Sequence, residues 1–280
     1  MLQTAKNLSK DVISSKGSVM LSSKDVEVMG QIVDAVTSLS EQYEIPYEEA
    51  VEHAEFALSY ALSERLGLDV HVYLRDRCRI LVFDDTQAKE VKTGQIKKKV
   101  IRHAKKFLQY RFLCLHAYRV YREAVHLVRT VVSGQILRII KQTLYVKILN
   151  PHAAIEGGRV LIGVCSPEHQ TPKERGTYWK GEILAFFVAS VRGIVEEKVP
   201  RVIITLSRNS ISLPEVMLKN FLFDIGITTK VKAVKRIAGA YTIIHTEQKI
   251  PKEIIQRVFR ELNEGIIVKY RSVKEGKPWL

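Results

Sequence analysis

Near residue 130 the spacing of apolar residues changes from helical to alternating, and that switch rules out a single uniform bundle or sheet. Upstream, Met29, Ile32, Val33, Val36 and Leu39 form one helical stripe. Pro46 opens a second helix whose stripe is Val51, Ala54, Leu58, Ala61 and Leu62, and Gly67 closes it as a left-handed cap. Val70, Val72 and Leu74 alternate with His71 and Tyr73 in a strand, and Ile80–Phe83 is a second. Ile96, Val100, Ala104, Phe107 and Leu108 form a further helical face, which Phe112, Leu115, Tyr118 and Val125 either extend or follow as a separate helix.

Downstream the period is that of strands. Val132–Ile140 and Leu144–Leu149 flank a turn at Lys141–Thr143, and Val160–Val164 follows a loop with Gly157 and Gly158. Ile183–Val191 and Val202–Leu206 make five strands in about 80 residues, which suits a small closed barrel of the OB type, with a small sandwich as the alternative. A helix over Leu213–Phe223 precedes strands Val231–Ala238 and Tyr241–Thr246. Pro251 then opens a helix with the stripe Ile254, Ile255, Val258 and Leu262, and Ile266–Tyr270 is a last strand. The expected fold is therefore α+β and multidomain. It comprises a loose tail (1–24), an α/β head (25–85), a basic helical connector (86–130), the barrel (131–210) and a small α+β module (211–280).

Apolar residues at 46% and charged residues at 26% mark a chain that buries cores, which excludes disordered and disulfide-scaffold classes. Cys78, Cys114 and Cys165 are odd in number and show no paired spacing, so a reduced cytoplasmic setting is expected. The longest apolar run, Ile183–Val191, is about half of a membrane span, and no leader pattern stands at the start, so no membrane association is expected.

The net charge of +14 is unevenly placed. Residues 1–85 carry −7, residues 86–130 carry +10, and the rest carries +5 up to residue 210 and +6 beyond it. An acidic head on a basic body implies two surfaces for two partners, and the basic body suits nucleic-acid phosphate through counterion release. Small barrels of this kind stack single-stranded bases on aromatics beside a basic groove. Tyr145, Lys147, His169, Arg175, Tyr178, Trp179 and Arg192 are the candidates for such a face, each aromatic being otherwise a core or rim residue, and Arg208 is either a further contact or a brace of the barrel. Lys98, Arg102 and Lys105 lie off the apolar face of the connector, as RNA contacts or as a solvated side. Glu48, Glu49, Glu52 and Glu55 share one side of the second helix, as partner contacts or as a solvated face.

Catalytic signals are missing from the sequence. Cys165 and His169 lack a second pair to complete a zinc site, and no Walker loop, dinucleotide fingerprint or nucleophile elbow occurs. No catalytic residue, metal or cofactor is expected, and a nuclease or RNA-modifying enzyme would need a carboxylate cluster that the sequence lacks.

Several strings, colinear over roughly residues 25–270, carry a resemblance. The segment Pro167-Glu168-His169-Gln170-Thr171-Pro172-Lys173-Glu174, with Tyr178 and Lys180-Gly181-Glu182 after it, precedes a strand. Ile203-Ile204-Thr205-Leu206-Ser207-Arg208 ends another. Val231–Arg236 and Tyr241–Thr246 follow as a strand pair, and Gly30–Phe83 reads helix, proline-started helix and strands. In this order they resemble the NusA family of bacterial transcription elongation and termination factors. The resemblance implies a head that binds RNA polymerase, for which Glu48, Glu49, Glu52 and Glu55 are the candidate contacts, a barrel that binds nascent single-stranded RNA, and a KH-like last module. Transcription pausing, termination or antitermination would be the process affected. The chain departs from the family in having no Gly-x-x-Gly after residue 210 and one module where the family has two, so the expectation is of a divergent, truncated NusA-like protein. The alternative function is an RNA-binding or ribosome-associated module that makes no polymerase contact.

Overall fold

The computed structural model describes residues 23–75, 79–84, 87–91, 96–149 and 160–270. The loose tail up to residue 22, the Met29 side chain, Cys78, Gly157, Gly158 and the residues beyond Tyr270 lie outside the described residues. The architecture is α+β, with five helices and three sheets among those residues. The chain divides into two compact units, residues 1–118 with 196–200, and residues 119–195 with 201–280.

The first unit opens with α1 (Ser23–Gln42) and α2 (Tyr47–Leu66). Pro46 precedes α2 with Glu48 and Glu49 in its first turn, where the helix end is electropositive. Gly67, at φ 67°, ends α2 in the left-handed region, and its amide donates to the Ser63 carbonyl. Strands β1 (Asp69–Tyr73), β2 (Arg79–Asp84) and β3 (Gln87–Glu90) pair antiparallel in that order. Strand β3 went unread in the sequence because all four of its side chains are exposed and leave no alternation. Ala50, Ala54, Ala57 and Ala61 of α2 are buried with Ile32 and Val36 of α1, Val70 and Val72 of β1, and Ile80 and Val82 of β2. Such small side chains let neighbouring elements approach closely.

A second set of bonds ties α2 to β1. The amides of Leu74, Val72 and Val70 donate to Glu55 Oε1 (2.7 Å), Ser59 Oγ (2.8 Å) and Ser63 Oγ (2.9 Å). Four helical residues rise about 6 Å and two strand residues about 6.7 Å, so every fourth side chain of α2 meets every second amide of β1.

Helix α3 (Lys98–Val125) runs unbroken, so Phe112, Leu115 and Tyr118 extend it and no second helix begins there. Ala104, Leu108 and Phe112 belong to the first core, and Ala124 to the core of the second unit. No helix among the described residues is long and apolar enough to cross a membrane.

In the second unit, β4 (Val131–Ile140), β5 (Thr143–Leu149), β6 (Ile162–Cys165), β7 (Ile183–Glu196) and β8 (Val199–Ser207) form a mixed sheet of order β4-β5-β6-β8-β7 that closes on itself. Within this sheet only β6 and β8 run parallel among the pairs of known register. Ile136, Leu144, Val146, Phe186, Val188, Ile204 and Leu206 fill the interior. Gly163 is required there, since a Cβ on it would stand 2.5 Å from Leu206 Cδ1. The β4–β5 turn is two residues, Lys141 and Gln142, both at positive φ, one residue tighter than the sequence reading. Such turns match the twist of the flanking strands.

The last module follows the expected order, α4 (Ser212–Asp224), β9 (Val231–Ile237), β10 (Tyr241–Thr246), α5 (Lys252–Leu262) and β11 (Gly265–Tyr270). Strand β10 is central, antiparallel to β9 and parallel to β11. Strand β7 serves two cores. Phe186 and Val188 face the barrel interior, whereas Phe187 packs with Leu213, Met217, Leu218 and Val258 of the module.

Candidate nucleic-acid interface

Alternation along β5 sends Leu144, Val146 and Ile148 inward and leaves Tyr145 and Lys147 on the outer face. Register then decides their neighbours. Tyr145 pairs with Arg138 of β4 on one side and Val164 of β6 on the other, while Lys147 pairs with Gln135 and Ile162. The Arg138 guanidinium carbon lies 4.4 Å from the Tyr145 ring centroid, a cation–π contact. Ile162 is 47% exposed beside Lys147. This outer face therefore presents two cations, an aromatic ring and an aliphatic side chain on adjacent strands. Phosphates and unstacked bases use this mixture of groups.

Arg138 was absent from the sequence-derived set, because a bulge at Leu137 resets the register between Ile136 and Arg138. The signal that finds it is the hairpin itself. A two-residue turn at Lys141–Gln142 pairs Ile140 with Thr143 and hence Arg138 with Tyr145.

The loop residues divide between surface and structure. Gly181 N donates to Ile136 O (2.7 Å) and Ile136 N to Glu182 O (2.8 Å), which carries the preceding Trp179 to the barrel end that Arg138 and Tyr145 occupy. Trp179 is 62% exposed. Arg175 is exposed but holds the Pro167 carbonyl through Nη2 (2.8 Å), and Arg192 is exposed on β7. His169, at the end of the short turn Pro167–His169, is half-buried, and its carbonyl accepts from the Arg208 amide at 2.8 Å. Tyr178 packs against the barrel core and donates to Glu174 Oε2 (2.9 Å). Burial and the Glu174 carboxylate push its phenol well above the ordinary range. Tyr178 is thus a packing residue and no platform for a base.

Arg208 is the brace and not an RNA contact. It is 1% exposed and all five of its N–H groups are used. Nε and Nη2 grip both oxygens of Glu174 (3.1 and 2.6 Å), Nη1 donates to Ala185 O (2.9 Å) and Glu261 Oε1 (3.1 Å), and Nη2 also reaches Glu261 O (3.2 Å). The Glu174 loop, β7, β8 and α5 meet on this one side chain. Burial works to raise the Glu174 carboxyl, but the Arg208 guanidinium overrides it and leaves the group below its ordinary range. Burial pushes the neighbouring Cys165 thiol up to about 12, so this cysteine is a packing residue without thiolate reactivity.

In the first unit, Lys98 and Arg102 are exposed, and Lys105 donates to Gln31 Oε1 (3.3 Å). Arg65, Lys99, Arg102, His103 and Lys106 line a shallow basic cleft on α2 and α3 that the sequence reading only half named. Of the four glutamates, Glu48 and Glu52 are exposed on α2, and Glu49 is half-buried with His53 at 3.8 Å. Glu55 is corrected from a partner contact to the clasp on the Leu74 amide. Phe56 and Tyr60, exposed at 58% and 53%, continue the Glu48–Glu52 row at four-residue spacing and were missed. Among the described residues no group of three or more histidines, cysteines and carboxylates could hold a metal ion.

No protein-family model matches the chain, and the search of curated proteins finds no relative.

Proposed function

We propose that this chain is a NusA-like transcription factor that binds nascent single-stranded RNA on the outer face of its barrel and RNA polymerase through its head. The RNA reading is carried by one observation, the register that sets Arg138 over Tyr145 beside Lys147 on the outside of a closed five-stranded sheet. Its strand order, with β6 against β8 and β7 closing onto β4, supports the OB-type assignment, in which the second and third strands bind oligonucleotides. The αββαβ order of the last module, with a single helix between β10 and β11, supports a KH-like module without the nucleotide-gripping Gly-x-x-Gly loop.

For the head, the support is a row of exposed side chains on α2. Glu48 and Glu52 give it charge, and Phe56 and Tyr60 give it apolar area of the kind that anchors protein interfaces. The test uses the full chain. Wild type retains core RNA polymerase from a nuclease-treated bacterial lysate, and Glu48→Lys with Glu52→Lys abolishes retention. Arg138→Ala with Lys147→Ala leaves polymerase retention intact and lowers RNA affinity on every sequence. RNA binding without polymerase retention by the wild type would favour the second reading, an RNA-binding or ribosome-associated module.

A further inference from the structure

The sheet of the last module has one closed face and one open face. Val231, Ala233, Ile244 and the methyl-bearing Thr242 and Thr246 are buried beneath α4 and α5. Among the described residues no helix covers the opposite face, and register reads its composition row by row. One row crosses β9, β10 and β11 as Lys235, Ile243 and Ile267, and the next as Lys232, His245 and Lys269. In the third row Tyr241 of β10 stands beside Gly265 of β11, where a Cβ would come 3.7 Å from the Tyr241 Cβ. The glycine leaves that flank of the ring uncovered. The Lys235 ammonium lies 5.9 Å from the ring centroid. Ile267 is 46% exposed at the centre of the β11 row.

No carboxylate occupies any outward position of the three strands. Glu247, just past β10, is matched by Lys230 at 3.4 Å. A bulge at Val234 keeps both Lys232 and Lys235 on the outward side, since Ala233 pairs with Ile244 and Lys235 with Ile243. Three lysines therefore frame a small platform of one tyrosine and three isoleucines, with Ile237 of β9 (47% exposed) beside Tyr241 in the third row. A polypeptide partner for such a face would need to be acidic, but nothing here offers donors to a carboxylate in a fixed fork. A single nucleic-acid strand supplies both a phosphate for each lysine and a base for the platform.

We propose that this open face is a second contact for single-stranded RNA, used in place of the Gly-x-x-Gly grip that the module lacks. The inference shares with the function proposed above only its class of ligand, and it needs no polymerase contact. Strand spacing of about 4.8 Å makes the three-stranded face wide enough for two or three nucleotides.

The experiment is fluorescence anisotropy of the full chain with a labelled, mixed-sequence 20-nucleotide RNA across a salt series. Lys232→Gln, Lys235→Gln and Lys269→Gln together should flatten the slope of log affinity against log salt by about 2, since each phosphate on a single strand contributes about 0.7. Tyr241→Ala should weaken binding roughly tenfold, and Tyr241→Phe should restore it. In the unmodified protein, RNA carrying 4-thiouridine should crosslink to peptides from β9, β10 or β11. An unchanged salt slope in a folded triple variant, with RNA still bound, overturns this face and leaves the barrel reading standing. Wild-type protein that binds no RNA overturns both. A triple variant that loses concentration-dependent self-association while RNA affinity holds overturns the proposal in favour of a face for a second copy.

Discussion

The two units of this chain bury different kinds of side chain. Among the described residues, the core of the first is alanines, aliphatic residues and Phe112, and Ser40 is its one buried polar residue. The second unit encloses Gln170, Thr171, Ser207, Arg208, Thr242, Thr246 and Glu264 beside its apolar clusters. It also holds two arginine–carboxylate centres, Arg208 on Glu174 and Glu261, and Arg236 on Glu264. Glu264 is fully enclosed and accepts in addition from Thr242 Oγ1 (2.8 Å) and the Gly239 amide (2.9 Å). Apolar packing tolerates volume-conserving change, whereas a buried ion pair demands one geometry and penalises the loss of either partner. The first unit is thus specified by pattern and the second by particular residues.

The sharpest way to break that contrast is to remove one charge. Arg208→Met leaves Glu174 and Glu261 without the guanidinium that neutralises them and should cost about 3–5 kcal/mol, read by urea unfolding, with amide exchange accelerated around Glu174 and α5. If Arg208→Met is neutral, the ion pair does not specify the unit. Next comes the apolar counterpart, Leu58→Ala in α2, which should cost about 3 kcal/mol, while Leu58→Met should cost under about 1.5 kcal/mol. No comparably mild exchange should exist at Arg208, and a tolerated Arg208→Lys would blur the distinction.

A smaller effect is expected at the α2–β1 clasp. Ser59→Ala strands the Val72 amide and should cost about 1 kcal/mol, visible as faster exchange of that one amide. Acid provides a further comparison. The folded Glu174 carboxyl lies below its ordinary value, so its contribution is fully present above the unfolded value and is lost as pH falls through the folded one. Below about pH 4.5 the second unit should lose stability, and Glu174→Gln should remove that dependence, as a pH series of unfolding midpoints would show.

The legible parts were those that repeat. Helix α2 was readable from Pro46, its four-residue stripe and Gly67, and the last module from Pro251 and the alternation along β10. Strand β3 was not readable, because Gln87–Glu90 is exposed throughout and its order comes from pairing with β2. The barrel face was half legible. Alternation alone put Tyr145 and Lys147 outside, but Arg138 depended on a bulge that one residue of turn length conceals. The polar centres were least legible. Arg208, Glu174 and Glu261 are 34 and 53 residues apart along the chain, and only the folded topology makes them neighbours. Glu55 was misread for the same reason, since nothing local marks a helix glutamate as the acceptor for a strand amide 19 residues on.

The clasp between α2 and β1 also limits how the head can recruit anything. β1 is the outer strand of its sheet on that side, and its outward amides at Val70, Val72 and Leu74 are already spoken for by Ser63, Ser59 and Glu55. An extended peptide seeking to lengthen the sheet there would find no donors to pair with. Whatever docks on this side must recognise it through side chains and shape, and its selectivity will follow the surface residues of α2 more than any backbone ladder.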